Sequence, residues 1–215
     1  MSLIKLISVA VLLINVTACN SNSQQQATSE KQVITENQTV VTDSQASPKP
    51  AQKTGKMLIE GEETEIELKL YEQPKLFNTY FPSEDFLVES KTSEPQKEVK
   101  FIANFGGVKN ENAYIQIVFP QSVKSVADVK KLITGKNGLM ADKKWQIVTT
   151  KVNDKRYFWA LEKIGFSKNP DIIGDIYIGD KNGKIFYVIT HFPIEYADGF
   201  SPREDLILQN LEIIG

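Results

Sequence analysis

The sequence predicts an α+β fold with a mostly antiparallel sheet. Alternating polar and apolar residues, which are typical of strands, outnumber helical patterns, and most predicted strands follow one another as hairpins. The regular strand–helix alternation of parallel α/β folds is missing. The chain has 215 residues, of which 41% are hydrophobic and 24% are charged, an ordinary composition for a globular protein. Residues 57–215 have a suitable length for a single domain.

The N-terminus predicts a signal peptide over residues 1–18. Lys5 is its basic residue, and residues 6–16 form an apolar run that is too short to span a bilayer. The run ends in Val16-Thr17-Ala18 before Cys19, which resembles the lipobox of bacterial lipoproteins. That resemblance implies that Cys19 receives diacylglycerol. Cys19 is the only cysteine, which excludes an intrachain disulfide. The alternative is an ordinary cleaved signal with an incidental cysteine.

Residues 19–56 are predicted to form the lipidated cysteine and a disordered tether. The segment is rich in Gln, Ser, Thr and Asn, and it ends in Ser47-Pro48-Lys49-Pro50. Its low hydrophobicity cannot offset the entropy cost of ordering. A flexible coil of this length spans roughly 30–35 Å, which is enough to lift a domain clear of lipid headgroups or into a cell-wall layer.

The predicted domain begins with strands. Thr64–Tyr71 alternates between aliphatic and charged side chains, which indicates a sheet with one solvated face. Met57–Ile59 is expected to pair with this strand across a turn at residues 60–62. Further strands are predicted at residues 86–89, 99–105 and 113–119, the last two joined by a long polar connection at residues 106–112.

Capping residues mark the first helix. Ser125 is the predicted N-cap, Asp128 lies in the first turn, and Gly135 ends the helix. The apolar face contains Val126, Val129 and Ile133. The glycine-rich segment 135–138 follows this helix, whereas a phosphate-binding loop follows a strand. We therefore interpret these glycines as residues that end the helix.

Two hairpins are predicted after this helix. Residues 145–152 and 157–166 are expected to pair across Asn153-Asp154, and residues 172–178 and 184–192 across residues 180–183. The second turn, Asp-Lys-Asn-Gly, resembles the start of a calcium-binding loop, but the later ligands are missing. The same residue types are those that a tight turn requires, so a turn is the preferred interpretation.

The last predicted element is a helix that begins after Ser201. Ser201 would be its N-cap, Pro202 its first helical residue, and Glu204 the residue that completes a capping box. Ile207, Leu208 and Leu211 would form its apolar face.

The order of these elements resembles the PsbP-like family, which shares a fold with the Mog-type Ran-binding proteins. The resemblance covers most of residues 57–215, and the segments that carry it are Tyr80-Phe81-Pro82, Phe86-Leu87-Val88, Ser125–Thr134, Lys184–Phe192 and Asp205-Leu206-Ile207-Leu208. It implies an antiparallel sheet flanked by helices, an α/β/α sandwich. It also implies a protein that binds or assists other proteins and is not an enzyme.

Charge and hydropathy restrict the function further. The net charge is −2, and the signs are interspersed, which argues against a nucleic-acid surface because such a surface needs a basic stripe. The expectation is a lipoprotein of the bacterial cell envelope, held to the outer face of a membrane through Cys19. We expect it to act as a non-enzymatic binding or accessory module for an envelope protein partner. No cofactor is expected.

His191, the only histidine, is the residue on which an enzymatic alternative depends. A metal site would usually recruit further His or Cys. A hydrolase could combine His191 with the loop at residues 195–201, where Asp198 and Ser201 lie close in sequence. Ser201 is already explained as a helix cap, so this hydrolase is an alternative to the binding module. Small-molecule binding without turnover is a further alternative, which a deep apolar pocket would support.

Two groups of residues are candidates for partner binding. Tyr157 and Trp159 would form a recognition patch if both pointed outward, and they would otherwise belong to the core. The second group lies beside His191 and contains Glu195, Tyr196, Asp198 and Arg203. A polar loop that carries an aromatic ring suits recognition. The alternative is a turn at Asp198-Gly199 with Arg203 paired to a nearby carboxylate.

Overall fold

Two antiparallel sheets dominate the computed structural model, which describes residues 48–59, 61–92, 96–152 and 156–215. The strands are β1 (Gln52–Ile59), β2 (Glu62–Gln73), β3 (Phe77–Phe81), β4 (Phe86–Lys91), β5 (Gln96–Phe105), β6 (Val108–Pro120), β7 (Gln146–Val152), β8 (Ala160–Lys168), β9 (Ile172–Lys181), β10 (Lys184–Pro193) and β11 (Glu212–Ile213). The helices are α1 (Val126–Thr134), α2 (Leu139–Lys143) and α3 (Ala197–Gln209), with a 3-10 turn at Ile194–Tyr196.

The smaller sheet has the strand order β1-β2-β3-β11. Its first hairpin confirms the predicted pairing, with Met57 opposite Thr64. Leu68 is fully buried, and the charged residues on either side of it in β2 are exposed, as the alternation predicts. β1 begins at Gln52, five residues before the predicted start of the domain. The last residues of the predicted tether therefore belong to this sheet.

The larger sheet has the order β4-β5-β6-β10-β9-β8-β7. The hairpins β7/β8 and β9/β10 are both formed. β8 begins at Ala160 and not at residue 157 as predicted, and the predicted turn residues Asn153 and Asp154 lie outside the described residues. Asn182 and Gly183 have φ angles of 53° and 72°. A two-residue hairpin turn of this kind needs positive φ at both positions, and Asn followed by Gly provides it at the lowest cost.

The predicted long connection between β5 and β6 is wrong. β5 continues to Phe105 and β6 begins at Val108, so the turn consists of Gly106 and Gly107 alone. Their φ angles are 60° and 80°, and glycine adopts this region without steric cost. The polar residues after Gly107 therefore extend β6 and do not form a loop.

The first helix is confirmed and the last begins elsewhere than predicted. The Asp128 amide donates to Oγ of Ser125 at 3.1 Å, and Val129 is buried. In contrast, α3 starts at Ala197 and includes Pro202 in its interior, so Ser201 is not its N-cap. Phe200 lies in the part of α3 before Pro202 and is fully buried. Burial of its ring contributes more stability than is lost with the backbone hydrogen bond that Pro202 cannot donate.

The predicted α/β/α sandwich is wrong. Strands make up 56% of the described part and helices 19%. One face of the larger sheet is covered by the smaller sheet together with α3, and only the short helices α1 and α2 cover the other face. A second sheet thus occupies much of the layer in which helices were expected, because β1, β2 and β3 need a partner surface for their own apolar side chains.

Candidate functional site

Tyr157 and Trp159 lie in the core. Each is 1% exposed, and their rings stack with centroids 5.4 Å apart. The Trp159 Nε1 donates to the Leu208 backbone oxygen at 3.0 Å. The Tyr157 hydroxyl donates to Oδ1 of Asp205 at 2.7 Å. Both rings therefore face α3, and the two residues do not form an outward recognition patch.

Contacts with α3 explain this placement. β8 begins at Ala160, and residues 156–159 are in turns and a bend, so the strand pairing does not hold these residues. The hydrogen bonds to Asp205 and Leu208 direct both rings to α3. Phe158, between the two buried rings, is 68% exposed.

His191 lies on β10 among aromatic rings. It is 6% exposed and stacks on Tyr114 with ring centroids 4.8 Å apart, beside Trp145 at 5.5 Å. Its Nδ1 is 2.8 Å from the backbone oxygen of Asn112. Since a carbonyl oxygen only accepts, Nδ1 carries a proton and donates it to this bond. Burial lowers the pKa of His191, which favours the neutral ring at pH 7.

The structure does not bring His191 together with the loop at residues 195–201. Successive side chains of β10 alternate between the faces of the sheet, so His191 faces Tyr114 while Phe192 packs on Phe200 of α3. No hydroxyl or carboxylate of the described residues is hydrogen-bonded to the imidazole. The contacts of a nucleophile and its base are therefore not formed at His191 within the part of the chain that the structure describes.

The other residues of the predicted loop surface have separate surroundings. Glu195 and Asp198 are exposed. Tyr196 stacks on Phe105 with ring centroids 5.8 Å apart. Glu195 and Tyr196 lie in the 3-10 turn and Asp198 lies in the first turn of α3, so the expected polar loop is a short turn that leads directly into a helix.

Arg203 connects α3 to the segment before β4. Its Nε donates to Oδ2 of Asp85 at 2.6 Å, and its Nη1 donates to the Gly199 oxygen at 2.8 Å. The guanidinium also lies 4.8 Å from the centre of the Phe105 ring. Arg203 therefore pairs with a carboxylate, as the alternative expected, and its side chain is only 17% exposed, so little of it can reach a partner. The turn expected at Asp198-Gly199 is wrong, because both residues lie within α3.

Glu204 is a buried acid and does not cap a helix. Its side chain is 3% exposed, and the Tyr157 hydroxyl lies 3.4 Å from Oε1. Burial raises the pKa of Glu204 to about 8, and the negative charge of Asp175 acts in the same direction. The carboxyl group is therefore mostly protonated at pH 7, which reduces the cost of placing it between α3 and the larger sheet.

A lysine-rimmed cleft lies at one end of the larger sheet. It has a volume of about 470 Å³. β5, β6 and β10 are neighbours in the sheet, so the start of β5, the end of β6 and the start of β10 meet at this edge. Its apolar lining residues are Leu76, Phe119, Pro120, Val123 and Ile185, and its basic residues are Lys97, Lys124 and Lys184.

The lysines of this cleft have no carboxylate partners among the described residues. Lys97 and Lys184 are half-buried and Lys124 is exposed, and none of the three belongs to an ion pair in the described part. A partly desolvated ammonium above an apolar surface is stabilised when an anion approaches it. The cleft can therefore hold a group in which a negative charge adjoins an apolar part.

No local pattern in the sequence predicts this cleft. Lys97 lies on β5, Lys184 lies on β10, and Lys124 lies in the connection between β6 and α1. The order of charges along a chain does not reveal which lysines meet in space. The adjacency of β5, β6 and β10 brings Lys97 and Lys184 to the end of β6, beside the connection that carries Lys124.

The described residues contain no group of three or more His, Cys, Asp or Glu side chains that could hold a metal ion. No helix of the described part is both long and apolar enough to cross a bilayer. Cys19 and the predicted signal peptide lie outside the described residues, so lipidation stays a prediction.

No protein-family model matches the sequence, and no curated protein matches it. The resemblance to the PsbP-like family therefore stays a prediction, and the helix-flanked sandwich that it implied is not the architecture found. The lysine-rimmed cleft is therefore the candidate binding site, because of its geometry and charge.

Proposed function

We propose that this chain is a lipid-anchored module of the bacterial cell envelope that binds an anionic, partly apolar group in the lysine-rimmed cleft. Binding without chemical turnover is the function that the geometry supports best. The observation that carries the proposal is the pair Lys97 and Lys184, which are half-buried beside apolar side chains without a carboxylate partner in the described residues.

The physical reason is an imbalance of charge at a concave surface. Ligand sites are commonly concave and mostly apolar, with a few polar groups that fix the ligand's orientation. Here Leu76 and Ile185 supply partly exposed apolar surface, and Lys184 lies beside Ile185. A purely anionic ligand would leave the apolar surface of the cleft exposed to water. A purely apolar ligand would leave the lysines without a counter-charge.

Binding is favoured over hydrolysis by the surroundings of His191. Its Nδ1–H is engaged by the Asn112 carbonyl, and its ring lies against Tyr114. The cleft contains no histidine, and the residues that line it include no carboxylate. Histidine and carboxylate groups, which general acid–base catalysis most often employs, are therefore not among the lining residues.

The predicted anchor places the site near a membrane surface. A diacylglycerol on Cys19 would hold the chain, since two acyl chains give stable attachment where one gives only marginal binding. The predicted tether would let the domain reach ligands away from the headgroups. Such a module can present its cleft to a partner protein of the envelope, which is the role expected from the sequence.

Ligand-observed saturation-transfer NMR tests the proposal with hexanoate as the probe. The full lipidated protein is held in nanodiscs of zwitterionic lipid, and empty nanodiscs correct for partitioning. We expect saturable hexanoate binding, little binding of neutral hexanamide, and a loss of about tenfold in affinity for the double variant Lys97→Gln/Lys184→Gln.

A matched control is Lys56→Gln/Lys69→Gln, which removes two exposed lysines from the smaller sheet. This control should bind hexanoate as the wild type does. Equal binding by the cleft variant and the control, or equal binding of hexanoate and hexanamide, would contradict the proposed site.

A further inference from the structure

A second groove continues the lysine-rimmed cleft along α1. It has a volume of about 710 Å³ and shares Val123 and Lys124 with the cleft. Lys131 on α1 and Lys136 after it add two further positive charges. The two depressions therefore adjoin each other at these two residues. Together they are called the track, which extends from the sheet edge to the end of α1.

The charge along this track is strongly one-sided. Five of its lining residues are lysines, and Asp128 is the one carboxylate among them. Asp128 is already engaged, since the backbone amide of Lys124 donates to its Oδ2 at 3.1 Å. Lys131 and Lys136 are exposed and form no ion pair within the described residues. The track therefore favours a ligand whose negative charges repeat along its length.

We propose that the track binds an extended acidic peptide segment of a partner protein, an inference that rests on the proposed function of the cleft. An apolar side chain of the segment would occupy the cleft beside Leu76 and Ile185. Carboxylates before and after it would meet the lysines of the rim, and further carboxylates would lie along the groove near Lys131 and Lys136. The aliphatic side chain matches the apolar lining of the cleft, and the acidic side chains along the same peptide match the lysines that follow along the groove.

The composition of the track favours a peptide over a phosphate polymer. All of its cations are lysines, which act as point charges, and the track lacks the arginine forks that recognise phosphate in a bidentate manner. A polyphosphate would also leave the apolar lining of the cleft uncovered. Phe119, the aromatic residue in the lining, is 7% exposed, so it offers little ring surface for base stacking.

The shape of the track favours a peptide over a membrane. Its lysines line depressions, and two of them, Lys97 and Lys184, are half-buried. A flat layer of anionic headgroups reaches exposed and protruding lysines more readily than half-buried ones in a cleft. An extended chain can enter a groove of this kind.

Fluorescence anisotropy tests the inference with a labelled synthetic peptide, using the full lipidated protein in zwitterionic nanodiscs. The peptide has about a dozen residues, with leucines flanked on both sides by glutamates and further regularly spaced glutamates after them. Three comparison probes are a peptide with Gln for each Glu, a peptide with Ser for each Leu, and inorganic polyphosphate. Vesicles containing anionic lipid are the fourth comparison.

We expect the leucine–glutamate peptide to bind most tightly and to weaken as salt is added. Lys131→Gln/Lys136→Gln should reduce its affinity about fivefold and leave hexanoate binding in the cleft unchanged. Lys124→Gln should weaken the peptide, because Lys124 belongs to both depressions. Lys56→Gln/Lys69→Gln is again the matched control and should change neither measurement.

Three outcomes would overturn the inference. The first is a peptide affinity that Lys131→Gln/Lys136→Gln does not change while hexanoate still binds. This result would leave the proposed cleft intact but refute peptide binding along the groove beside α1. Another is equal binding of the leucine-free peptide. The third is tighter binding of polyphosphate or anionic vesicles than of the leucine–glutamate peptide, if that binding is lost in Lys131→Gln/Lys136→Gln. Absence of hexanoate binding to the wild-type protein would instead refute the proposed function itself.

Discussion

The guanidinium of Arg203 donates from Nε to Oδ2 of Asp85 at a distance of 2.6 Å. The two side chains are 17% and 16% exposed, so the pair is largely removed from water. It joins α3 to the chain between β3 and β4, across 118 residues of sequence. Phe105 lies beneath the guanidinium at 4.8 Å, which adds a cation–π contact.

Arg203→Ala should destabilise the domain by about 2–3 kcal/mol, because it leaves Asp85 without its partner in a partly desolvated position. Urea unfolding followed by circular dichroism measures the change. Lys56→Ala is the control, since its ion pair with Glu63 is exposed and should contribute under about 1 kcal/mol. Similar losses of unfolding free energy in Arg203→Ala and Lys56→Ala would show that the Arg203–Asp85 pair has no special role in holding α3.

Glu204 makes stability depend on pH. Its folded pKa, raised to about 8, lies above the ordinary value of 4.5, so the folded state holds more protons than the unfolded state between these values. Stability should therefore fall as the pH rises from about 5 to about 8, by roughly 4 kcal/mol at most. Unfolding free energies measured across this range should show the decline.

Glu204→Gln should flatten this dependence, because the amide cannot ionise. The control Glu195→Gln changes an exposed carboxylate that lies nine residues earlier and should leave the slope as it is in the wild type. An unchanged slope in Glu204→Gln would mean that Glu204 ionises normally in the folded protein.

His191 should titrate at an unusually acidic pH. Burial among Tyr114 and Trp145 lowers its folded pKa below the ordinary value of 6.5. The folded state then binds fewer protons than the unfolded state, so His191 contributes stability above pH 6.5 that is lost as the pH falls towards the folded pKa. Because the chain has a single histidine, its ring proton resonances in an NMR titration are unambiguous.

The same titration in concentrated urea should give a midpoint near 6.5, which provides the internal reference. His191→Phe should keep the ring stacking but lose the bond to the Asn112 carbonyl, at a cost of about 1–3 kcal/mol. A folded midpoint at or above the urea value would contradict the buried, neutral imidazole.

Cys19→Ala should release or mislocalise the protein without unfolding the domain. Without the thiol, diacylglycerol cannot be attached, and each buried acyl CH₂ contributes about 0.8 kcal/mol to membrane attachment. Cell fractionation followed by a high-salt wash should recover a soluble product or an uncleaved precursor. The melting temperature of the domain should be unchanged, because the predicted tether separates it from the lipid. A variant that is still cut at the same bond and stays in the membrane would refute the lipid anchor.

Local signals in the sequence determined several elements of the fold correctly. Ser125 and Asp128 lie within one turn of each other, so their capping contact depends on almost nothing else. Asn182 and Gly183 supply the positive φ angles of their turn by their own conformational preferences. The alternation in β2 predicts its solvated face, because the side-chain period of a strand is a property of the strand itself.

Tertiary structure decided the features that matter for the site. Trp159 is buried against α3, where the Leu208 carbonyl accepts its Nε1 proton, and the buried carboxyl of Glu204 lies 3.4 Å from the Tyr157 hydroxyl. Lys97 and Lys184 meet because β5 and β10 both pair with β6. Each of these relationships joins residues about 50 or more positions apart. The sequence by itself determined contacts made within a few residues, whereas burial and the grouping of charges depend on which distant segments pack together.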